Sequence, residues 1–399
     1  MISHEKALQE VLKLSSDFGT ENVPLSGCLS RILAEPIHAD RDFPPFDRAT
    51  KDGIAINFAG IQSADQNFPV SGMAQAGSPQ QQLFDASQCI EVMTGAMVPN
   101  NADTVIMYEH LKELDNGFSL RESVKKGQNI HYKASDVAQG EVLLSEGIQI
   151  TEAEVGVLAS VGKSKIKVKK LPKVAVISTG NELVDVEEKP APHQIRKSNV
   201  HTLQALLKRL QIPSDCFHFV DNPSILKDKL GGILKNYDVL LLSGGVSKGK
   251  FDFLPQTFDA LGVEKVFHRV RQRPGKPFWF GRHKDSNTTI FSFPGNPVST
   301  FVSYHVYFKP WLNKTLGMAS PQFDVFLSEP TENTTDLTVF IEVRVDWVNG
   351  KLMATRISTT GSGDLMALSK ADGFIKLKPG QKVEDEQWVP FIPARNMVS

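Results

Sequence analysis

The chain has 399 residues, and its 44 lysine and arginine residues almost balance its 45 aspartate and glutamate residues. This length exceeds what one hydrophobic core usually supports and predicts roughly three modules. The balanced charge gives no general attraction for nucleic acid or for an acidic membrane surface. The sequence therefore predicts neither partner, and any anion has to be bound by a local cluster of residues.

The cysteines and the N-terminus indicate the compartment. Cys28, Cys89 and Cys216 are far apart and form no Cys-x-x-Cys pair, which argues against a disulfide framework or a structural zinc site. Residues 1–6 lack the apolar region of a secretory signal, and no apolar run approaches the ~18 residues of a membrane span. We expect a cytoplasmic protein without a membrane segment.

The first 171 residues alternate between helical and β-type patterns. Residues 4–14 have the spacing of an amphipathic helix, with Ser3 as a plausible N-cap. Short β-type runs separated by Gly, Pro and Asn follow at 53–56, 90–93 and 104–108. These patterns predict a discontinuous helical or linker domain, residues 1–40 plus 140–171, and a β-rich domain over residues 41–139.

The second half begins with alternating strands and helices. Apolar strands are predicted at 174–177 and 239–242, and helices at 200–210 and 225–234. This alternation is typical of a doubly wound, parallel α/β domain, here residues 172–318. From 319 to 399 the pattern is β again, and Asn349-Gly350 predicts a type I′ hairpin turn in a C-terminal β-domain.

Two glycine-rich loops follow the apolar strands of the predicted parallel sheet. One is Ser178-Thr-Gly-Asn-Glu182, and the other is Ser243-Gly-Gly-Val-Ser-Lys-Gly249. Open α/β sheets bind ligands at the carboxyl ends of their strands, and glycines let backbone N–H groups approach phosphate closely. Glu182 and Asp252 lie at this edge, where a divalent cation would need carboxylates.

The second loop also matches two motifs of other enzymes. Residues 244–250 read G-x-x-x-x-G-K, but Phe251 stands where a Walker A loop needs Ser or Thr for Mg²⁺. Residues 245–249 read G-x-S-x-G, so a serine hydrolase with Ser247, Asp259 and His305 is an alternative. Such a hydrolase would leave the first loop and the arginines unexplained.

An arginine cluster provides positive charge near the same edge. Arg269, Arg271 and Arg273 recur with period two, so an extended segment would project all three to one side. Together with Lys276 they predict an oxyanion receptor. The run from Phe291 to Pro297 is a third strand that ends in a rigid turn.

Six motifs in order along the chain resemble one known family. They are Arg41-Asp-Phe-Pro-Pro-Phe-Asp47 with Lys51-Asp-Gly53, Met93-Thr-Gly-Ala-Met-Val-Pro99, Ser178-Thr-Gly-Asn-Glu182, Ser243-Gly-Gly-Val-Ser247, Pro274-Gly-Lys-Pro277 and Pro294-Gly-Asn-Pro297. The chain resembles the molybdopterin molybdenumtransferase (MoeA) family, which includes the C-terminal E-domain of gephyrin. The resemblance extends to the Thr359-Thr-Gly-Ser-Gly-Asp364 loop and so covers nearly the whole chain.

The resemblance implies an activity and an assembly. Members of the family form homodimers of elongated four-domain subunits, insert molybdate into adenylylated molybdopterin with Mg²⁺ or a similar divalent cation, and release AMP. Other cofactor-biosynthesis enzymes are further expected partners. Two alternatives stay open: a molybdopterin adenylyltransferase, whose single domain resembles residues 172–315, and a gephyrin-like dimeric binding scaffold.

The resemblance also implies roles for individual residues. The metal and nucleotide ligands would be Glu182 and Asp252, with Asp221 as a further acid, and the phosphate loop would be Ser243, Gly244, Gly245 and Ser247. Pterin phosphate or molybdate would be held by Arg269, Arg273 and Lys276, in a cleft shaped by Pro294 and Pro297, with Arg344 and Ser362 on the molybdate side. From the β-rich domain, Asp52, Thr94 and Asp136 would reach the cleft of the partner subunit. The family usually has Met-Asp-Gly where this chain has Lys51-Asp-Gly53, and arginine-rich sequence where it has Asn129-Ile-His-Tyr-Lys133.

Overall fold

The computed structural model describes residues 1–246, 252–384 and 387–395. It contains two compact units, one formed by Met1–Glu21 with Lys169–Ser399 and the other by Asn22–Val168. The helices are α1 His4–Lys13, α2 Glu152–Ser160, α3 Asn199–Arg209, α4 Pro223–Ile233, α5 Leu254–Ala260, α6 Pro297–Ser303, α7 Lys309–Thr315 and α8 Leu365–Leu368, with a π-helical turn at Tyr304–Phe308. Short 3₁₀ turns lie at Leu25–Gly27, Phe58–Gly60 and Tyr108–His110.

The unit Asn22–Val168 is built on a six-stranded sheet. The strands of the first 169 residues are β1 Ile2–Ser3, β2 Thr20–Pro24, β3 Ile37–His38, β4 Arg48–Ala49, β5 Gly53–Ile56, β6 Phe68–Ala74, β7 Cys89–Val92, β8 Thr104–Met107, β9 Leu111–Leu114, β10 Gly117–Leu120, β11 Ile130–His131, β12 Val142–Leu144 and β13 Lys165–Lys169. The sheet order is β8-β5-β7-β6-β10-β9. Strands β5, β7 and β8 confirm the three predicted β-type runs, because their apolar side chains supply the buried core of this sheet.

The first predicted helix is also present. Ser3 caps α1, because its side chain accepts a hydrogen bond from the Lys6 N–H, and the buried face of the helix presents Ala7 and Val11. The structure places α1 in the unit that contains the α/β sheet.

The α/β sheet has six strands, in the order β17-β14-β18-β22-β21-β19. Strands of this region are β14 Val174–Thr179, β15 Leu183–Val184, β16 Ile195–Arg196, β17 Ser214–Phe219, β18 Val239–Ser243, β19 Val263–His268, β20 Val270–Arg273, β21 Trp279–His283 and β22 Thr289–Phe293. β17, β14, β18 and β22 are parallel, as predicted, whereas β21 is antiparallel to both β22 and β19. The sheet is therefore mixed, because the short connections around β21 leave no room for a crossover.

The C-terminal β-domain closes on itself. Its strands are β23 Phe323–Leu327, β24 Thr331–Glu332, β25 Thr338–Val348, β26 Lys351–Arg356, β27 Gly373–Leu377, β28 Lys382–Val383 and β29 Trp388–Pro393. The order β25-β26-β23-β29-β27 returns to β25 and forms a barrel-like sheet. Asn349 and Gly350 have φ of 51° and 77° in the β25–β26 turn, which confirms the predicted type I′ hairpin.

Strand β20 connects the α/β domain to the barrel. It follows β19 in the chain but pairs in parallel with β25, and on its other side it pairs with β1. The arginines of β20 therefore lie where the two parts of this unit meet.

Candidate functional site

A cavity of about 320 Å³ lies at the carboxyl ends of the four parallel strands. We call it the loop cavity. Its lining includes residues that follow each strand: Gly180 and Glu182 after β14, Asp221 after β17, Gly244 after β18 and Gly295 after β22. Parallel strands bring these loops together because their carboxyl ends share one edge of the sheet.

The glycine loop after β18 packs closely against the end of β14 and the start of α5. Gly245 has φ of 68°, and a Cβ at this position would lie 2.8 Å from Thr179 Oγ1 and 2.7 Å from Leu254 Cδ1. Only glycine satisfies both the left-handed backbone and the close approach. Ser243 and Gly244 line the same cavity, whereas Ser247 lies outside the described residues.

Three carboxylates line the loop cavity. Burial raises the pKa of Asp221, and the negative charges of Glu182 and Asp252 raise it further. A Cβ at Gly180 would lie 2.6 Å from Glu182 Oε2, so the Glu182 carboxylate lies against its own loop. The three acids therefore share one negative environment that a cation would stabilise.

Replacement of Asp221 by Asn is expected to stabilise the protein at pH 7. The folded state raises the pKa of Asp221 above the ordinary 3.8, so this group favours the folded state below that value and loses the benefit as pH rises through the folded pKa. The Asp221→Asn variant should melt above the wild type at pH 7 in calorimetry, and the difference should shrink toward pH 4.

Asp228→Asn is the matched control, because that side chain on α4 is 80% exposed. A lower melting temperature for Asp221→Asn than for Asp228→Asn at pH 7 would contradict the raised pKa of Asp221 in the folded state.

Several residues of the loop cavity were not predicted from the sequence. Asn199 donates hydrogen bonds to Ser243 Oγ (2.8 Å) and to Gly295 O (2.7 Å), which ties α3 to two of the loops. Arg196 and Lys197 bring positive charge to the same lining. The sequence pattern predicted that α3 begins at Val200, so these residues were not considered as site residues. Ser198 and Asn199 are residue types that favour a helix N-terminus, and this signal indicates the earlier start of α3.

His268 forms a hydrogen bond with the backbone of the glycine loop. Its Nε2–H donates to Val246 O at 3.0 Å, and burial lowers the pKa of the ring. A neutral imidazole in this place holds the backbone of the loop without adding charge to the cavity.

A second cavity, of about 1350 Å³, lies between the α/β sheet and the barrel. We call it the large cleft. It brings together four predicted site residues, Arg273, Lys276, Pro294 and Ser362. Asn296 Nδ2 donates to Ser362 Oγ at 2.7 Å, and the Val298 N–H donates to Ser362 O at 3.0 Å, so the loop after β26 is joined to the turn after β22.

Three cations line the large cleft: Arg273, Lys276 and Arg356. In the described part of the chain, none of them forms an ion pair or a side-chain hydrogen bond, in contrast to Arg271, which pairs with Asp336 at 2.9 Å. Unpaired guanidinium and ammonium groups in one cleft are the donors that an oxyanion needs.

The structure contradicts the prediction that Arg269, Arg271 and Arg273 project together from one extended segment. Arg269 precedes β20 and has φ of 74°, so it interrupts the extended segment and does not project with Arg271 and Arg273. Arg269 is absent from the lining of both cavities. Arg344 is also absent from the cleft, because it lies on the exposed side of β25 and pairs with Asp346 at 2.9 Å.

Arg356, which the sequence did not single out, lies in the cleft instead of Arg344. It is at the end of β26, where it is paired with Val343 of β25. Glu342 also lines the cleft, and its pKa is raised, chiefly by burial. Neither residue belongs to a recognisable motif, so only the register of the barrel strands brings them to the site.

The turn after β22 is shared by the two cavities. Gly295 lines both of them, Pro297 lines the loop cavity and Pro294 lines the large cleft. Thr300 Oγ1 donates to Pro294 O at 2.7 Å and lies 3.2 Å from Ser243 Oγ, so α6 fixes this turn against β18. The two cavities therefore border on the same turn.

The remaining predicted site residues lie in the unit Asn22–Val168. Asp52 accepts hydrogen bonds from the Thr94 N–H (2.6 Å) and hydroxyl (2.7 Å), which hold the pKa of Asp52 below its usual range. His131 Nε2 lies 2.7 Å from Asp136 and its Nδ1 lies 3.1 Å from Arg48. His131 thus links Arg48 and Asp136.

The structure does not favour the hydrolase alternative. His305 is 2% exposed, and its ring packs against Phe301 and Phe374 rather than at the edge of the sheet. Burial lowers the pKa of His305 to about 3. A general base needs contact with its nucleophile, and this ring is enclosed by aromatic side chains.

No helix among the described residues combines the length and the apolar character needed to cross a bilayer. Within residues 1–246, 252–384 and 387–395, no three His, Cys, Asp or Glu side chains are close enough to form a metal site by themselves.

The mixed α/β sheet, the closed barrel and the two cavities that share Gly295 are the architecture of a multidomain α/β and β protein. Comparisons with known proteins give the family. The family models for the MoeA N-terminal region (domain I and II), the probable molybdopterin binding domain and the MoeA C-terminal region (domain IV) match residues 2–162, 175–314 and 325–394.

Relatives match over nearly the whole chain. A molybdopterin molybdenumtransferase from Synechocystis sp. is 36% identical over 96% of this chain and 96% of its own, and one from Staphylococcus epidermidis is 31% identical over 96% and 92%. A crystal structure of the molybdopterin biosynthesis MoeA protein from Pyrococcus horikoshii has a TM-score of 0.82 at 27% identity and covers 98% of this chain and 100% of its own. The chain belongs to the MoeA family of molybdopterin molybdenumtransferases, which confirms the resemblance and the predicted fold class.

Proposed function

We propose that this protein inserts molybdate into adenylylated molybdopterin and releases AMP. The observation that carries the proposal is the junction at Gly295, where a cavity lined by carboxylates meets a cleft lined by unpaired cations. The relatives named molybdopterin molybdenumtransferase support the same reaction.

In this proposal the loop cavity binds the phosphates and the nucleotide. The Gly244 N–H already donates to Phe293 O at 3.1 Å. The backbone N–H of Gly245 is suited to a phosphate oxygen, because glycine lets the main chain approach the ligand. Arg196 adds positive charge in the same lining, whereas Lys197 is paired with Asp185. Release of AMP breaks the phosphoanhydride bond of the substrate, and an oxygen of water or of molybdate takes the place of the leaving AMP. The loop cavity would supply binding and orientation for this step.

Magnesium fits the donors of the loop cavity. Glu182, Asp221 and Asp252 offer oxygen ligands, and the pKa of Asp221 is raised by burial and further by the charges of the other two carboxylates. Mg²⁺ is usually bound by one or two carboxylates together with substrate phosphates, and it would neutralise charge on the leaving AMP. Among the described residues there is no complete metal cluster, so the substrate would complete the ligand set.

The large cleft would hold molybdate and the pterin. Molybdate is a tetrahedral dianion, and Arg273, Lys276 and Arg356 can donate to its oxygens together with the Ser362 hydroxyl. Fixed cations stabilise the negative charge while the dithiolene sulfurs replace oxygen at the metal. Molybdate insertion would then occur in the large cleft and AMP release in the loop cavity, on opposite sides of Gly295, while one substrate molecule is bound.

We also propose that the protein works as a homodimer in the cytoplasm. In this dimer, the β-rich domain of one subunit would bring Asp52, Thr94 and Asp136 to the cleft of the partner subunit. The predicted division of the chain into four domains is part of the same proposal. A monomer at micromolar concentration in sedimentation equilibrium would contradict it.

The decisive experiment measures AMP release from adenylylated molybdopterin with Mg²⁺, with and without molybdate. We expect AMP release to depend on molybdate and molybdenum to appear in the pterin. Tight pterin binding without turnover would favour a binding scaffold. Formation of adenylylated molybdopterin from ATP and molybdopterin would favour an adenylyltransferase, and no pterin binding would exclude all three.

A further inference from the structure

A chain of buried polar side chains runs from the N-terminus to the turn that carries Lys276. His4, Tyr307 and Gln272 are 3%, 0% and 0% exposed. His4 Nδ1 lies 3.0 Å from Tyr307 Oη, the Tyr307 hydroxyl donates to Gln272 Oε1, and Gln272 Nε2 donates to Pro274 O at 3.0 Å. Three elements distant in sequence, α1, the π-helical turn and β20, are thus joined through side chains.

The direction of each hydrogen bond in this chain is fixed. Because the Tyr307 hydroxyl has one hydrogen and donates it to Gln272, the Nδ1–H of His4 has to be the donor to Tyr307. Burial lowers the pKa of His4 to about 4, so the ring is neutral at physiological pH and can adopt this tautomer. The Gln272 amide is held in one orientation, with its oxygen toward Tyr307 and its nitrogen toward Pro274.

The Gln272 amide lies directly against the turn. Gly275 has φ of 89°, and a Cβ at this position would lie 2.6 Å from Gln272 Nε2 and 2.9 Å from Ser303 Oγ. The conformation of the turn therefore depends on where the amide sits. Arg273 and Lys276, on either side of this turn, are two of the three unpaired cations of the large cleft.

The N-terminal strand holds the other side of β20. Ile2 pairs with Val270 and Ser3 pairs with Arg271, and His4 follows directly as the first residue of α1. The His4 ring also packs edge-on against Phe340 of β25, with ring centroids 5.1 Å apart. The first four residues of the chain thereby brace the strand that bears the cations.

We propose that His4, Tyr307 and Gln272 are positioning residues for anion binding, and that they hold the Arg273–Lys276 turn so that both cations face the large cleft. The choice of molybdate as the anion rests on the proposed function. The positioning of the turn rests only on the contacts described above.

The test compares Tyr307→Phe with Tyr304→Phe. Both tyrosines lie in the π-helical turn and are at most 1% exposed, but in the described structure the Tyr304 hydroxyl has no hydrogen-bond partner. Loss of the Tyr307 hydroxyl leaves Gln272 Oε1 buried without a donor and lets the amide rotate. We expect molybdate alone to bind ~10-fold more weakly to Tyr307→Phe in calorimetry, and with wild-type affinity to Tyr304→Phe.

Two further readouts separate positioning from general loss of structure. In the turnover assay, the KM for molybdate should rise ~10-fold in Tyr307→Phe, while kcat and the KM for the adenylylated pterin change less than ~3-fold. Hydrogen exchange should accelerate in a peptide covering residues 270–278 and stay unchanged in one covering β18. If Tyr307→Phe folds poorly, Gln272→Met, which keeps the side-chain volume, takes its place.

The outcomes distinguish the two proposals. Equal molybdate affinity and equal exchange in Tyr307→Phe and Tyr304→Phe would overturn the positioning role. If the wild type binds no molybdate, molybdate is not the anion of the large cleft. If hydrogen exchange of residues 270–278 is still faster only in Tyr307→Phe, the positioning of the turn is supported all the same.

Discussion

Replacement of Glu182 by Gln is expected to reduce molybdate-dependent AMP release by at least ~100-fold, or about 2.7 kcal/mol in the activation free energy. Glu182 is one of three carboxylates in the loop cavity, and its carboxylate lies against the loop at Gly180. The change keeps the shape of the side chain but removes the charge and replaces one of the two oxygens that would bind Mg²⁺ by an NH₂ group. The Mg²⁺ concentration for half-maximal rate should rise together with the fall in rate.

Glu187→Gln is the control for Glu182→Gln. Glu187 is exposed, lies five residues further along the same connection and does not line either cavity. Equal rates for the two variants, or an unchanged Mg²⁺ dependence in Glu182→Gln, would contradict a role for the loop-cavity carboxylates in metal binding.

Replacement of Arg273 by Ala is expected to weaken molybdate binding ~100-fold. The Arg273 guanidinium lines the large cleft and makes no ion pair within the described residues, so its donors are available to an oxyanion. Arg273→Lys should recover only part of the affinity, because a single ammonium lacks the planar pair of donors. Titration calorimetry with molybdate at two salt concentrations measures both effects.

Arg271→Ala is the matched control for Arg273→Ala. Arg271 lies two residues away on the same face of β20 but is already paired with Asp336 and does not line the cleft. Its loss should change the affinity for molybdate less than ~3-fold. If the two variants lose affinity equally, the net charge of β20 rather than the cleft geometry determines binding.

Much of the candidate site was predictable because its residues are adjacent to local structural signals. A buried apolar strand followed by glycine marks the carboxyl edge of a parallel sheet, and this local signal is sufficient to predict that Glu182 and Gly244 line one cavity. The Asn349-Gly350 turn was predictable for the same reason, since its conformation depends on two adjacent residues. The roles of Glu182 and Gly244 in the reaction stay predictions.

The arginines were less predictable because their partners are distant in sequence. The period of two identified a cationic strand correctly at Arg271 and Arg273, but the left-handed backbone of Arg269 interrupts it. Which arginine remains unpaired depends on carboxylates brought in by other segments, as Asp336 is brought to Arg271. Arg344 resembled a site residue in sequence, yet Asp346, two residues away, already pairs with it.

The sequence by itself determined the fold class, the glycine loops and the family, because alternation of apolar residues, turn residues and an ordered set of motifs are local properties of the chain. The tertiary structure decided which cations face the cleft, the entry of Arg356 into the site and the link from His4 through Tyr307 to Gln272. The physical reason is strand register and side-chain pairing: both depend on contacts between segments up to 303 residues apart, which no local pattern encodes.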